Sequence, residues 1–162
     1  MTNDLLEGKR LLVVDDEHDV FETLEELLPM CTLVEASTFE DANSRLEQES
    51  FDVAILDIMG VNGYKLLEIA NEKKIPSVML TAHALSVEDT VKSFKGGAAS
   101  YVPKEEMIHI ATSLEDVLVA WKAGKNLSTR WFERLGTYYE KKFGPEWQQK
   151  DKEFWEKYRY WI

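Results

Sequence analysis

The sequence predicts an α/β protein in which a doubly wound, five-stranded parallel sheet is followed by a C-terminal helical extension. Short apolar runs alternate five times with stretches of helical periodicity, as in repeated strand–helix–strand units. The run at residues 53–56 is apolar on both faces, which is typical of a strand buried in a parallel sheet. The chain has 162 residues, of which 44% are hydrophobic, enough for one domain of ordinary size and an appendage.

Each predicted strand is a short apolar run, and four of the five runs end at polar side chains. The strands cover residues 9–14, 32–35, 53–56, 78–80 and 101–102. Open α/β sheets bind their ligands outside the carboxyl ends of the strands, so residues at these ends are candidates for a site. Those that follow the first, third, fourth and fifth strands are Asp15 and Asp16, Asp57, Thr81 and, after a proline, Lys104.

The helices between the strands are indicated by apolar spacing and by residues that start or stop helices. They are predicted over residues 17–28, 38–49, 63–70, 86–95 and 105–123. Pro29 ends the first helix, and Thr38 can cap the second. An Asn62-Gly63 turn leads into the third. Ser86 reads as the cap of the fourth helix, which Gly96-Gly97 ends.

The polar residues at the strand ends predict a phosphoryl-transfer site centred on Asp57. A phosphoryl group needs an in-line nucleophile and groups that compensate the charge on its oxygens. Three crowded carboxylates repel one another unless a cation lies among them, so Asp15, Asp16 and Asp57 indicate Mg²⁺. The backbone carbonyl of Met59 and water would complete the coordination. Taken singly, Asp15-Asp16 could be only a helix cap, and Thr81 only a strand former.

Asp15-Asp16, Asp57, Thr81-Ala82, Tyr101 and Lys104, in this order, resemble the receiver domain of bacterial two-component response regulators. The resemblance covers residues 8–123. It implies a flavodoxin-like sheet with strand order 2-1-3-4-5, in which the ends of the first and third strands lie side by side.

The resemblance also implies a role for each site residue. Asp57 would be the phosphoacceptor, while Lys104 would pair with one phosphoryl oxygen and Thr81 would donate its hydroxyl to another. Tyr101 would be a switch aromatic that turns inward when Thr81 moves toward the phosphate. The alternative for Tyr101 is a half-buried strand tyrosine.

Two features depart from the family's pattern. The segment 57–63 is shorter than usual and lacks the customary Met-Pro, so we expect a tighter loop beside the site. Pro103 precedes Lys104 instead of following it, which affects the direction of the lysine side chain. His83, two residues after Thr81, lies near the predicted site mouth, where it either influences acyl-phosphate hydrolysis or is a plain loop residue.

Residues 124–162 form a tail that differs from the rest of the chain in composition. Residues 125–162 hold 11 of the 18 aromatic residues and have a net charge of +3, against −14 for residues 1–124. The aromatics predict a helical hairpin whose two helices are separated at Gly144-Pro145, and their spacing allows the first helix to continue the fifth helix of the receiver. The residues at helical spacing are Leu127, Trp131, Leu135 and Tyr138, then Trp147, Phe154, Tyr158 and Trp161.

An isolated hairpin cannot bury this much apolar surface, so the tail is expected to dock. One candidate surface is the fifth helix of the same chain, where Trp121 offers an aromatic partner and the acidic body complements the tail's charge. The other is the tail of a second copy, and a symmetric homodimer is the favoured expectation.

The sequence as a whole favours a response regulator that accepts phosphate from a sensor histidine kinase or phosphotransfer protein and signals by protein contact. It is expected to be a phosphoacceptor protein and not an enzyme with its own substrate. One alternative is a transcription regulator whose tail contacts DNA, but the acidic body argues against nucleic acid. Another is a small aspartyl-phosphate phosphatase, which would need a general acid where Met59 stands.

The sequence gives no indication of a membrane segment or of disulfide bonding. No uncharged run reaches the length that a spanning helix needs. The single cysteine, Cys31, cannot form an internal disulfide and reads as a buried strand residue. These features predict a soluble, cytoplasmic protein.

Overall fold

The computed structural model describes residues 5–82, 86–125 and 130–160 and confirms the predicted fold class. Five parallel strands form one sheet in the order β2-β1-β3-β4-β5. The strands are β1 (Arg10–Val14), β2 (Thr32–Ala36), β3 (Val53–Leu56), β4 (Ser77–Thr81) and β5 (Ser100–Pro103). The predicted strand order is therefore correct, and the switch point lies between β1 and β3.

Five helices flank the sheet, and two more form the tail. They are α1 (His18–Leu27), α2 (Phe39–Gln48), α3 (Gly63–Glu72), α4 (Val87–Lys95), α5 (Ile110–Lys122), α6 (Trp131–Phe143) and α7 (Lys152–Tyr160). Thr38 and Ser86 cap α2 and α4 as predicted, each accepting a hydrogen bond from a backbone amide three residues on. The fifth helix differs from its prediction, because a 3₁₀ segment (Lys104–His109) takes up its first turns.

The sheet separates two apolar cores. One lies against α1 and α5, where Leu24 and Leu114 are fully buried. The other lies against α2, α3 and α4 and includes Leu67 and Phe94. This second core continues without interruption into the aromatic side chains of the tail, so the tail belongs to the same packed body.

The tail docks on α4 and β5 of its own chain. Trp131 is 1% exposed and meets the ring of Phe94 edge-on, with ring centroids 5.2 Å apart. It also stacks on Trp155 of α7 at 5.8 Å. Two hydrogen bonds to the receiver body are buried: Trp131 Nε1 donates to the Tyr101 carbonyl at 2.8 Å, and the hydroxyls of Tyr139 and Thr90 lie 2.6 Å apart.

Charged pairs reinforce this docking. Arg134 of α6 binds Asp116 of α5 at 3.0 Å, and Lys142 binds Glu105 at 3.0 Å. In both pairs the tail supplies the cation and the receiver body the carboxylate, as the predicted charge complementarity requires. A third pair has the opposite polarity, with Lys95 of α4 3.3 Å from Asp151 of the tail.

The apolar docking surface differs from the predicted one. Trp121 is only half-buried and lies outside the aromatic cluster that the described tail residues form with α4 and β5. The predicted homodimer rests on tryptophans that need cover. Of these, Trp131, Trp147 and Trp155 are covered within the same chain, so a second copy is not required to bury these three.

The connections of the tail also differ from the prediction. The first tail helix does not continue α5, which ends at Lys122 and is followed by a turn at Gly124 with φ of 79°. The second begins at Lys152 instead of near Pro145, because a turn covers residues 145–148 and a 3₁₀ segment (Gln149–Asp151) follows. Asp151 then accepts a hydrogen bond from the Phe154 amide, as a helix cap does.

Some predicted residues fall outside the described part of the chain. His83, Leu127 and Trp161 lie there, and the side chain of Tyr158 is also outside it. Among the described helices, none is long and apolar enough to cross a membrane. Cys31 is half-buried just before β2, and its thiol faces the Leu6 carbonyl at 3.4 Å.

Candidate functional site

The ends of β1 and β3 bring two aspartates together. Val14 pairs with Leu56 in the sheet, so Asp15 and Asp57, the next residue of each chain segment, emerge side by side. Both are nearly buried, Asp15 at 3% and Asp57 at 5% exposure. Asp15 Oδ1 accepts a hydrogen bond from the Glu17 amide at 2.9 Å, which fixes this carboxylate beside the start of α1.

The ends of β4 and β5 supply the hydroxyl and the ammonium. Thr81 pairs with Pro103, and Lys104 follows directly. Thr81 is fully buried at the sheet edge. Lys104 Nζ crosses the site and lies 3.0 Å from Asp15 Oδ2 and 3.0 Å from Glu17 Oε1. Although Pro103 precedes this lysine, its ammonium is directed at the carboxylates.

Asp57 has the most perturbed carboxyl of the site. Its burial raises its pKa to about 7, and the negative charges of Asp15 and Asp16 act in the same direction. The Lys104 ammonium opposes this rise. A carboxyl with a pKa of about 7 titrates near neutral pH, so a nearby cation favours its ionised, nucleophilic form.

The short segment after Asp57 is closed by two glycines. Gly60 has φ of 82°, and a Cβ there would lie 2.5 Å from Asp16 Oδ2. At Gly63 a Cβ would meet the Asp57 carbonyl oxygen at 2.0 Å. The backbone therefore packs against both carboxylate-bearing segments, and side chains at these two positions would not fit. This is the tight loop that the sequence predicts.

Carboxylate oxygens of Asp15, Asp16 and Glu17 all lie within 4.8 Å of one another. Hard cations such as Mg²⁺ prefer oxygen donors, and positive charge here would oppose the burial and the neighbouring carboxylate charges that raise the pKa of Asp57. The donor set therefore fits Mg²⁺. Glu17 is a member that the sequence did not predict, although it directly follows Asp15-Asp16. That Asp57 and the Met59 carbonyl also bind the metal stays a prediction.

Tyr101 is fully buried at 0% exposure, so the half-buried alternative is wrong. Burial raises its pKa well above the usual range, and hydrogen bonding to Thr90 and to the Ser86 backbone acts in the opposite direction. Thr90, on α4, was missed by sequence reasoning because nothing in its neighbourhood distinguishes it from an ordinary helix residue.

The raised pKa of Asp57 predicts a pH effect on stability. The Asp57 carboxyl holds its proton more tightly in the folded state than in the unfolded chain. Protonation of Asp57 therefore stabilises the fold at acid pH, and this stabilisation is lost as the pH rises from about 4 to about 7. The Asp57→Asn variant lacks the effect. In Mg²⁺-free buffer, the denaturant midpoint of the variant should rise relative to that of the wild type as the pH increases across this range. Parallel pH profiles of the two midpoints would contradict a raised pKa at Asp57.

Asp16→Ala is expected to weaken Mg²⁺ binding while leaving the metal-free protein at least as stable. Asp16 is exposed, and its removal relieves repulsion within the carboxylate set. Titration with Mg²⁺ and chemical denaturation without metal measure the two effects. A clearly less stable metal-free variant would mean that Asp16 serves as a structural cap.

Comparison with known proteins identifies a family. The family model for the response regulator receiver domain matches residues 11–114. The two-component response regulator ARR18 of Arabidopsis thaliana is 35% identical over 103 residues, which cover 60% of this chain and 16% of that protein. The probable transcriptional regulator ycf27 of Guillardia theta is 39% identical over 106 residues, covering 62% and 41%. The chain thus spans less than half the length of these relatives.

Solved structures show the same architecture. A CheY-like receiver domain protein from Methanospirillum hungatei aligns with a TM-score of 0.60 at 25% identity, over 71% of this chain and 99% of that chain. The N-terminal domain of a response regulator/sensory box/GGDEF protein from Carboxydothermus hydrogenoformans aligns with a TM-score of 0.62 at 26% identity, over 72% and 98%.

Proposed function

Because this chain belongs to the response regulator receiver domain family, we propose that it serves two-component signalling by accepting a phosphoryl group on Asp57 and passing the signal on by protein contact. The observation that carries this proposal is the setting of Asp57. It is a nearly buried carboxyl with a pKa raised to about 7, beside a carboxylate cluster and an ammonium that can reach it.

Asp57 would act as the nucleophile. Its carboxylate oxygen attacks phosphorus in line, a bond to the aspartyl oxygen forms, and the bond from phosphorus to the donor group breaks. Lys104 is well placed for one phosphoryl oxygen, because its ammonium already lies among the carboxylates of the site. Thr81, at the end of β4, would donate to another.

Mg²⁺, when bound, supplies the positive charge that keeps Asp57 ionised and neutralises the phosphoryl oxygens. Asp15 and Asp16 would hold it, with Asp57 and the Met59 carbonyl as further ligands. Glu17 also affects the position of Lys104. It shares Lys104 with Asp15, so the lysine must leave Glu17 when it binds the incoming phosphoryl group.

The donor would be a sensor histidine kinase or a phosphotransfer protein, and the proposed setting is the cytoplasm. Output through protein contact is favoured over output through DNA, because the three tryptophans of the described tail, which could otherwise stack on bases, are buried. Trp131, Trp147 and Trp155 are at most 6% exposed. The sequence also predicts a homodimer through the tail, but the burial of Trp131, Trp147 and Trp155 within one chain favours a monomer, and the concentration dependence of stability tests the choice.

The test is incubation of the protein with acetyl phosphate, with and without Mg²⁺, followed by intact-mass spectrometry. One added phosphoryl group in the presence of Mg²⁺, and none when EDTA is present from the start of the incubation, is the expected result. Equal labelling with and without the metal would contradict the proposed site.

A further inference from the structure

One buried hydrogen bond joins a hydroxyl of the tail to a hydroxyl of the receiver body. Thr90 Oγ1 donates to the Ser86 carbonyl at 2.7 Å and lies 2.6 Å from the hydroxyl of Tyr139. Both Thr90 and Tyr139 are fully buried. A hydrogen bond between two buried neutral hydroxyls is costly to leave unmade, so the position of Tyr139 depends on that of Thr90.

Tyr101 belongs to the same network. Its hydroxyl bonds to Thr90 and to the Ser86 backbone, and its own carbonyl accepts the 2.8 Å hydrogen bond from Trp131 Nε1. The tail therefore holds Tyr101 at both ends, directly through Trp131 and, by way of Thr90, through Tyr139. Movement of the Tyr101 ring out of the core would break the contact through Thr90, and a shift of the β5 backbone would break the contact with Trp131.

The strand held in this way carries the lysine of the site. Tyr101 lies in the middle of β5, whose last residue, Pro103, pairs with Thr81 and immediately precedes Lys104. On the other side of Lys104, Glu105 forms its ion pair with Lys142 of the tail. Tail contacts thus bracket Lys104 along the chain, three residues before it and one residue after it.

We propose that Tyr139 and Trp131 are positioning residues for phosphoryl transfer at Asp57: the docked tail fixes β5, and docking and phosphorylation favour each other. This inference rests on the proposed function. The physical reason is preorganisation, because a strand already fixed by the tail needs no further ordering when Lys104 and Thr81 close on the phosphoryl group. Coupling between two sites is reciprocal, so phosphorylation must also tighten the docking of the tail.

The first test uses beryllofluoride, a phosphoryl mimic, in the presence of Mg²⁺. Tyr139→Phe removes one hydroxyl and keeps the ring, and Trp131→Phe removes the donor to Tyr101. Each substitution is expected to raise the beryllofluoride concentration at half-saturation by about twofold to tenfold, the range that the loss of one hydrogen bond gives. Binding is measured by ¹⁹F NMR. Lys141→Gln, on the exposed side of α6, is the control and should bind as the wild type does.

The second test measures the reciprocal effect. Amide hydrogen exchange within α6 of the wild type should slow when beryllofluoride and Mg²⁺ are added, and the slowing should shrink in Tyr139→Phe. A structural role alone would weaken the fold of both variants without moving half-saturation. Unchanged half-saturation in both, or faster exchange in α6, would overturn the inference. A wild type that binds no beryllofluoride would instead remove the proposed function, and the inference with it.

Discussion

Asp57→Asn is expected to lose all Mg²⁺-dependent labelling by acetyl phosphate. An amide nitrogen and carbonyl replace the carboxylate at nearly the same volume, so the fold is kept while the nucleophile is gone. Asp15, the other buried carboxylate of the site, is already bound by Lys104 and by the Glu17 amide. Intact-mass spectrometry after a fixed incubation measures the effect.

Asp19→Asn is the matched control for this prediction. Asp19 is exposed in the first turn of α1, outside the carboxylate set. Its variant should be labelled as the wild type is. Undiminished labelling of Asp57→Asn, or a phosphoryl group mapped to Asp15 or Asp16 in the wild type, would mean that the phosphoacceptor has been assigned wrongly.

The strand-end residues could be predicted because each depends only on local pattern. A carboxylate that closes a doubly apolar run must emerge at the carboxyl edge of a parallel sheet, and β1 and β3 are adjacent in this strand order. The local pattern alone places Asp15 and Asp57 at the carboxyl edge of the sheet, and the strand order places them side by side. The family resemblance added the strand order and the roles, and the order is correct.

The pairing of Lys104 with Glu17 could not be predicted in the same way. Both side chains are long, and their meeting depends on how α1 starts and on where the chain leads after Pro103. Sequence spacing reports neither. The tight loop after Asp57, by contrast, is visible in the sequence, because the shortened segment leaves glycines at the two positions where backbone packs against backbone or carboxylate.

The tail marks a further limit of sequence reasoning. Aromatic spacing predicts amphipathic helices and predicts that their faces are covered, but a periodic apolar stripe carries no information about the covering surface. The docking surface on α4 is built from Phe94 and Thr90, one ordinary core residue and one ordinary helix residue. Only the folded chain shows that they lie under Trp131 and Tyr139.

Trp131→Ala is the substitution expected to cost the most stability. The side chain is 1% exposed and is in ring contact with Phe94, Trp155 and Tyr139. Truncating a buried tryptophan to alanine typically costs about 3–5 kcal/mol through lost burial and the cavity left behind. The Tyr101 carbonyl loses its tryptophan donor as well.

Trp121→Ala provides the comparison, because this tryptophan is only half-buried and lies outside the described tail cluster. Denaturant midpoints at equal slope should place Trp131→Ala well below Trp121→Ala. The wild-type midpoint should also be independent of protein concentration, since a tail docked on its own receiver gains nothing from a second copy. A midpoint that rises with protein concentration, together with equal losses of stability in the two variants, would indicate that the tail packs in a dimer interface and not on its own receiver.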